Sequence, residues 1–189
     1  ASDVYKRQAI TVSAVRVVPV TFDARFSALG RTYRYLIEDG FTSFGSNPLY
    51  RHFAWQIDQE LDVELMNRAA TELLGLHDFL SFCKPREGAT TIRELREVSF
   101  VRREDHLIEA TISADAFCHN MVRTLIASLV LVGEGKKDLA WLQSRLDEPI
   151  RDSQVRLASP RGLALAQIEY PAEELYAVQA QQARAMREL

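Results

Sequence analysis

Hydrophobic and polar positions alternate over residues 92–103 and again over 107–114, and the two stretches meet at Glu104-Asp105-His106. That pattern predicts a long β-hairpin. Residues 32–38 alternate in the same way, with Tyr33 and Tyr35 on one face, Thr32 and Arg34 on the other, and Asp39-Gly40 as the closing turn. Residues 12–20 are rich in β-branched side chains and stop near Pro19, residues 50–57 hold a short strand, and 163–170 read as the last strand. A helical period takes over elsewhere. Asp62 caps a helix to about residue 74, whose stripe is Val63, Met66, Ala69, Ala70, Leu73 and Leu74, with Gly75 as the stop. Val122, Leu125, Ile126, Leu129 and Val130 predict a second helix with one face in a core, ending at Gly133. Residues 138–146 form a third, before Pro149, and residues 84–91 a polar loop with Pro85 and Gly88. Strands and helices mix without regular alternation, so the expected class is α+β, with a mixed, largely antiparallel sheet flanked by helices.

The chain has 189 residues, enough for one core-bearing domain, which we expect over residues 9–172. Residues 1–8 carry no periodicity and read as a non-native leader or a truncation edge, while 173–189 read as a charged, Ala- and Gln-rich helix or tail. A hydrophobic fraction of 47% and a charged fraction of 26% are those of an ordinary globular protein. No apolar stretch reaches membrane-spanning length. Cys83 and Cys118 make neither a disulfide framework nor a zinc cluster, so a reducing cytoplasm is the expected location. The net charge of -3 argues against indiscriminate coating of nucleic acid. A local basic groove stays open, because clusters rather than totals contact phosphate. Arg25, Arg31 and Arg34 form such a cluster, interleaved with Phe26, Tyr33 and Tyr35.

Each candidate has a plainer reading. Aromatic rings beside arginines suit single-stranded or flipped bases, which need a stacking surface and phosphate neutralisers. Spacing alone favours an ordinary strand with an aromatic face. Arg123 begins an apolar helix with no obvious counter-charge nearby, and its fork of donors fits a carboxylate or phosphate. It could equally extend to water while its stem covers the core. His119 is of a type that titrates near neutrality and could act as a base, though such a residue more often caps or packs. Cys118-His119 lacks a second ligand pair, which removes the metal reading. His77-Asp78 and Ser81 lack a nucleophile elbow, Gly30-Arg31-Thr32 lacks phosphate-loop spacing, and residues 133–137 lack the Walker pattern.

Taken in order, Phe22-Asp23-Ala24-Arg25-Phe26-Ser27-Ala28, Arg31-Thr32-Tyr33-Arg34-Tyr35, His77-Asp78-Phe79-Leu80-Ser81-Phe82, Phe117-Cys118-His119-Asn120-Met121-Val122-Arg123, Gly162-Leu163-Ala164-Leu165 and Ile168-Glu169-Tyr170-Pro171 resemble the tRNA pseudouridine synthase A family. The resemblance spans residues 21–171 and matches the C-terminal portion of a member. It implies a pseudouridine synthase-like fold, half of it present here with a connecting segment. It also implies isomerisation of uridine to pseudouridine at tRNA positions 38 to 40, in the anticodon stem-loop, without cofactor or metal. The implied partners are tRNA and a second copy of the chain in a homodimer, with no membrane. The base-stacking tyrosine maps to Tyr33, and the arginine that pairs with the catalytic aspartate maps to Arg123. Leu163 and Leu165 fall in the strand that packs under the site, and Arg25, Arg31 and Arg34 would lie along the RNA.

One departure outweighs these matches. The family's catalytic aspartate belongs to a Gly-Arg-Thr-Asp segment, and these residues contain none; Gly30-Arg31-Thr32-Tyr33 matches it for three positions only. Asp23 stands where the family often has histidine and is no substitute nucleophile. The expectation is that the aspartate lies upstream of Ala1 and that these residues alone are inactive. Two other classes compete: a non-catalytic RNA-binding module using Tyr33 and the arginines, and a purely structural interaction domain.

Overall fold

One six-stranded sheet organises the computed structural model, which describes residues 10–41, 46–86, 88–150 and 157–185. Its strands are β1 (Gly30–Glu38), β2 (Trp55–Gln56), β3 (Gly75–Asp78), β4 (Ile92–Arg102), β5 (Ile108–Ala114) and β6 (Leu163–Glu169). The order is β2-β1-β5-β4-β3, with β6 also pairing β1. Every pairing is antiparallel except β1 with β2, so the sheet is mixed and mostly antiparallel, as expected. The β4–β5 hairpin turns where the sequence places it, with His106 at φ 67° and Arg103 N–H donating to the Leu107 carbonyl at 2.8 Å. Alternation sets its inner face, which buries Leu95, Val98 and Phe100 from β4 and Ile108, Ala110, Ile112 and Ala114 from β5.

The helices are α1 (Val63–Thr71), α2 (Met121–Gly133), α3 (Leu139–Asp147) and α4 (Tyr176–Arg184). Asp62 caps α1 by accepting from Leu65 N–H, and Asp138 caps α3 by accepting from Trp141 N–H, each at 2.8 Å. The second helix departs from the one-face expectation: eleven of its thirteen residues are buried. It belongs to the common core with the sheet and also packs on α1, so its whole circumference is covered. Thr124 and Ser128 tolerate this because their hydroxyls donate back to the carbonyls of Asn120 and Thr124.

Three further differences have physical causes. Residues 12–20 form no strand; Val15, Val17 and Val20 are almost wholly exposed, because β-propensity becomes a strand only by pairing and no described segment pairs with them. Strand β3 has no clear alternation at four residues, and β4 imposes it by pairing. Cys83 and Cys118, 35 residues apart, come together side by side with a Cα–Cα distance of 5.8 Å, a proximity that the sequence reading does not anticipate. Their spacing held no signal. They meet because the 3-10 turn Leu80–Phe82 ends against the segment leading into α2, where Lys84 N–H donates to the His119 carbonyl at 2.8 Å. No helix among the described residues is long and apolar enough to cross a membrane.

Candidate nucleic-acid interface

Strand β1 carries the site because its odd-numbered residues share one face. Tyr33 is half-buried and lies opposite Ile112 of β5 and Leu165 of β6. Phe117 meets the Tyr33 ring edge-on, with centroids 5.2 Å apart and planes at 86°. Residues paired directly across antiparallel strands have adjacent side chains, so Leu165, half exposed, extends the apolar surface beside Tyr33. Leu163 faces Tyr35 in the same register and packs against the core. Tyr35 itself is fully buried and donates to the Ser159 carbonyl at 2.5 Å. Burial pushes its phenol far above the usual range, with the Arg123 charge pulling weakly the other way. It stays neutral and serves as a wall.

Arg123 occupies the first turn of α2 and is half-buried. Its Nε donates to the Ala158 carbonyl at 2.7 Å, and its own carbonyl accepts from Ala158 N–H at 3.3 Å. The first bond holds the arm against Ala158, beside Tyr35, and the second ties the backbone of Ala158 to the start of α2. Among the described residues no carboxylate comes within 4.0 Å of its guanidinium. The two acids nearest in sequence logic are engaged elsewhere. Asp115 accepts from the N–H groups of Glu94 and Ala116, and Glu109 pairs with Arg103 and Arg34.

Arg25, Arg31, Tyr33 and Phe117 line one groove of about 590 Å³. Arg31 donates to the Arg25 carbonyl at 2.6 Å, which ties the two cations together. Arg34 is not with them: it projects from the other sheet face, exposed, with its Nε 3.5 Å from Glu109. Arg93, Arg96 and Arg184 also line the groove and are missing from the sequence reading. Nothing in their local pattern marks them, since only the β4 pairing and the docking of α4 bring them alongside Tyr33.

Asp23 shapes the groove's rim rather than its chemistry. Its carboxylate accepts from the N–H groups of Phe26 and Arg25, at 2.9 and 2.8 Å, and meets Arg184 at 2.8 Å. The Phe26 and Arg25 amides, more than the arginine, hold it below the ordinary carboxylate range. Ser27 Oγ donates to the Tyr176 carbonyl, and Tyr170 Oη to that of Ala24, so the 22–28 turn is pinned under α4. His77 and Asp78 do not act as a pair. His77 Nε2 sits 2.9 Å from the Leu74 carbonyl, while Asp78 accepts from Leu80 N–H and the Thr91 hydroxyl.

The family model described as tRNA pseudouridine synthase matches residues 69–171. A protein named tRNA pseudouridine synthase A from Streptomyces avermitilis is 48% identical over 181 residues, covering 95% of this chain and 62% of its own length. Proteins of the same name from Bifidobacterium longum and Cutibacterium acnes are 41% and 43% identical, covering 95% and 94% of this chain. This chain spans 66% and 64% of those two relatives.

Proposed function

The chain belongs to the tRNA pseudouridine synthase family, and from that premise we propose that it forms the base-holding and counter-charge side of a site that isomerises uridine to pseudouridine in the tRNA anticodon stem-loop. The observation that carries this reading is the company of Tyr33: a half-open ring with Phe117 behind it, Leu165 beside it and arginines along the same groove. A flipped uracil needs an apolar platform to lie on while its neighbours' phosphates are neutralised. In this reading Tyr33 takes the base, Leu163 and Leu165 pack below it, and Arg25 and Arg31 face the strand. Arg34, turned away beside Glu109, is left out of the inner contacts.

The reaction breaks the glycosidic C–N bond, turns the freed base and rejoins it through carbon. A carboxylate serves either as nucleophile or as proton acceptor in that sequence. Arg123 is the group that would keep such a carboxylate ionised, since a cation within a few ångströms lowers a carboxylate pKa by 1–3 units. Its guanidinium is braced by Ala158 and meets no acid among the described residues. The aspartate therefore comes, in this proposal, from a Gly-Arg-Thr-Asp segment that these 189 residues do not contain. A cytoplasmic homodimer is the natural setting for such an enzyme.

Tritium release from uridine-labelled tRNA tests the reading. The 189 residues alone should give no release, and the same residues supplied with the aspartate segment should give stoichiometric release. Turnover by the chain alone would show that the nucleophile is already in it. If RNA binds but the supplemented protein never turns over, the chain is a binding module instead.

A further inference from the structure

The chain has two cysteines, Cys83 and Cys118, and the fold sets them side by side. Their Cα atoms lie 5.8 Å apart, inside the span of about 4.4–6.8 Å that a disulfide bridges without moving the backbone. The backbone itself holds that separation. Lys84 N–H donates to the His119 carbonyl at 2.8 Å, one residue beyond each cysteine. Cys83 N–H donates to the Leu80 carbonyl at 3.1 Å, closing the 3-10 turn, and the Cys118 carbonyl accepts from Met121 N–H at 3.1 Å where α2 begins. None of these bonds involves sulfur, so the approach does not depend on the oxidation state of the pair.

The two thiols differ in access. Cys83 is 5% exposed and belongs to the core with Phe79 and Phe82. Cys118 is only partly buried and lines a pocket of about 180 Å³ together with Phe117 and His119. Thiol–disulfide exchange is governed by access, so such a pair has one attacking thiol and one resolving thiol.

We propose that Cys83 and Cys118 form a redox latch that closes by exchange with a low-molecular-weight disulfide. The Cys118 thiolate attacks one sulfur of that disulfide, forming a mixed disulfide and releasing the first small thiol. The Cys83 thiolate then attacks the Cys118 sulfur, the protein disulfide forms and the second small thiol leaves. The pair gives up two electrons and two protons, and the small disulfide takes them up as two thiols. In a reducing compartment such a latch is open at rest and closes under oxidation. Closure joins the end of the 3-10 turn to the residue next to Phe117, whose ring stands behind Tyr33. The latch stands whether or not Tyr33 takes a base.

The test treats the folded chain, first reduced and then cleared of reductant, with glutathione disulfide and reads intact mass and melting temperature. Wild type should lose two hydrogens and carry no glutathione. Its Tm should rise by about 5–15 °C, as closing a loop of this size implies, and fall back on reduction with dithiothreitol. Cys83→Ala keeps the attacking thiol without the resolving one, so it should carry one glutathione. Cys118→Ala should carry none. The wild-type mass decides the latch even where a variant fails to fold. Wild type that keeps both thiols, or ends as a mixed disulfide or a disulfide-linked dimer, overturns the proposal. A Cys118→Ala chain modified as readily as Cys83→Ala overturns the order of attack.

Discussion

Arg123 is defined less by its charge than by what restrains it. With Nε committed to the Ala158 carbonyl, only its terminal nitrogens remain to meet an acid. Lysine keeps the charge and loses both the brace and the fork. We expect Arg123→Lys, in protein supplied with the aspartate segment, to lower kcat about 10- to 100-fold, the equivalent of one charge-assisted hydrogen bond. The acid limb of the pH–rate profile should also move upward, because a carboxylate that loses the hydrogen bonds of the fork titrates at higher pH and must still be ionised to act. A fall in kcat with an unmoved limb would assign Arg123 to positioning alone. Tyr33 gives a second prediction at this scale. Stacking on an aromatic ring is worth about 1–3 kcal/mol per base, so Tyr33→Phe should retain RNA affinity and Tyr33→Ala should lose about 5- to 100-fold. Equal binding by the two would remove Tyr33 from the base platform.

Among the elements, two glycines show how close packing sets tolerance. Gly162 leads into β6, and a Cβ there would lie 2.5 Å from the Leu36 carbonyl and 2.8 Å from the Tyr35 ring. Backbone and a fully buried ring cannot yield, so Gly162→Ala should cost about 2–3 kcal/mol and loosen β6 where Leu163 faces Tyr35. Gly133 ends α2, and its added Cβ would crowd the Met66 side chain, at 2.6 Å from Sδ and 2.7 Å from Cγ, with the Asp62 carbonyl at an ordinary 3.6 Å. Methionine can swing aside. The helix propensity of alanine offsets part of the crowding, so Gly133→Ala should stay within about 1 kcal/mol of wild type. Urea denaturation of the two variants, run side by side, checks the contrast. A tolerated Gly162→Ala would mean that the β6 lead is not held tightly.

Across the whole molecule, one buried ion pair fastens the end of β1 to β4. The Asp39 side chain is fully buried and takes both forks of Arg102, at 2.7 and 2.8 Å, as well as Leu61 N–H at 2.8 Å. Burial alone would raise the Asp39 pKa; the Arg102 hydrogen bonds and the Leu61 amide outweigh it and hold the group below its ordinary value of 3.8. A carboxylate depressed on folding contributes stability in full above its unfolded pKa and loses it as pH falls through the folded one. Thermal stability should therefore drop below about pH 4, and Asp39→Asn should flatten that drop while lowering stability at neutral pH. Arg102→Ala leaves a buried acid unpaired and should cost about 3–5 kcal/mol. An unchanged acid limb in Asp39→Asn would assign the acid sensitivity to other carboxylates.

The pattern of side chains alone determined the hairpin of β4 and β5, the capped start of α1, the place of α3, and the face shared by Tyr33 and Tyr35. Each follows from local periodicity or a cap, which the chain carries wherever it folds. The order of motifs likewise marked Tyr33 and Arg123. Residues 12–20 had the composition of a strand and did not become one, because a strand is a relation between two segments and sequence states only one of them. The same reason hid the Cys83–Cys118 proximity and the cations Arg93, Arg96 and Arg184, which share a groove with Tyr33 although β4 and α4 lie far from it in sequence. It also separated Arg34 from its two neighbours in the cluster, since strand pleat sends adjacent side chains to opposite faces and Glu109 was waiting there. Which motifs the chain carries was written along it; which residues stand around them was decided by pairing and docking.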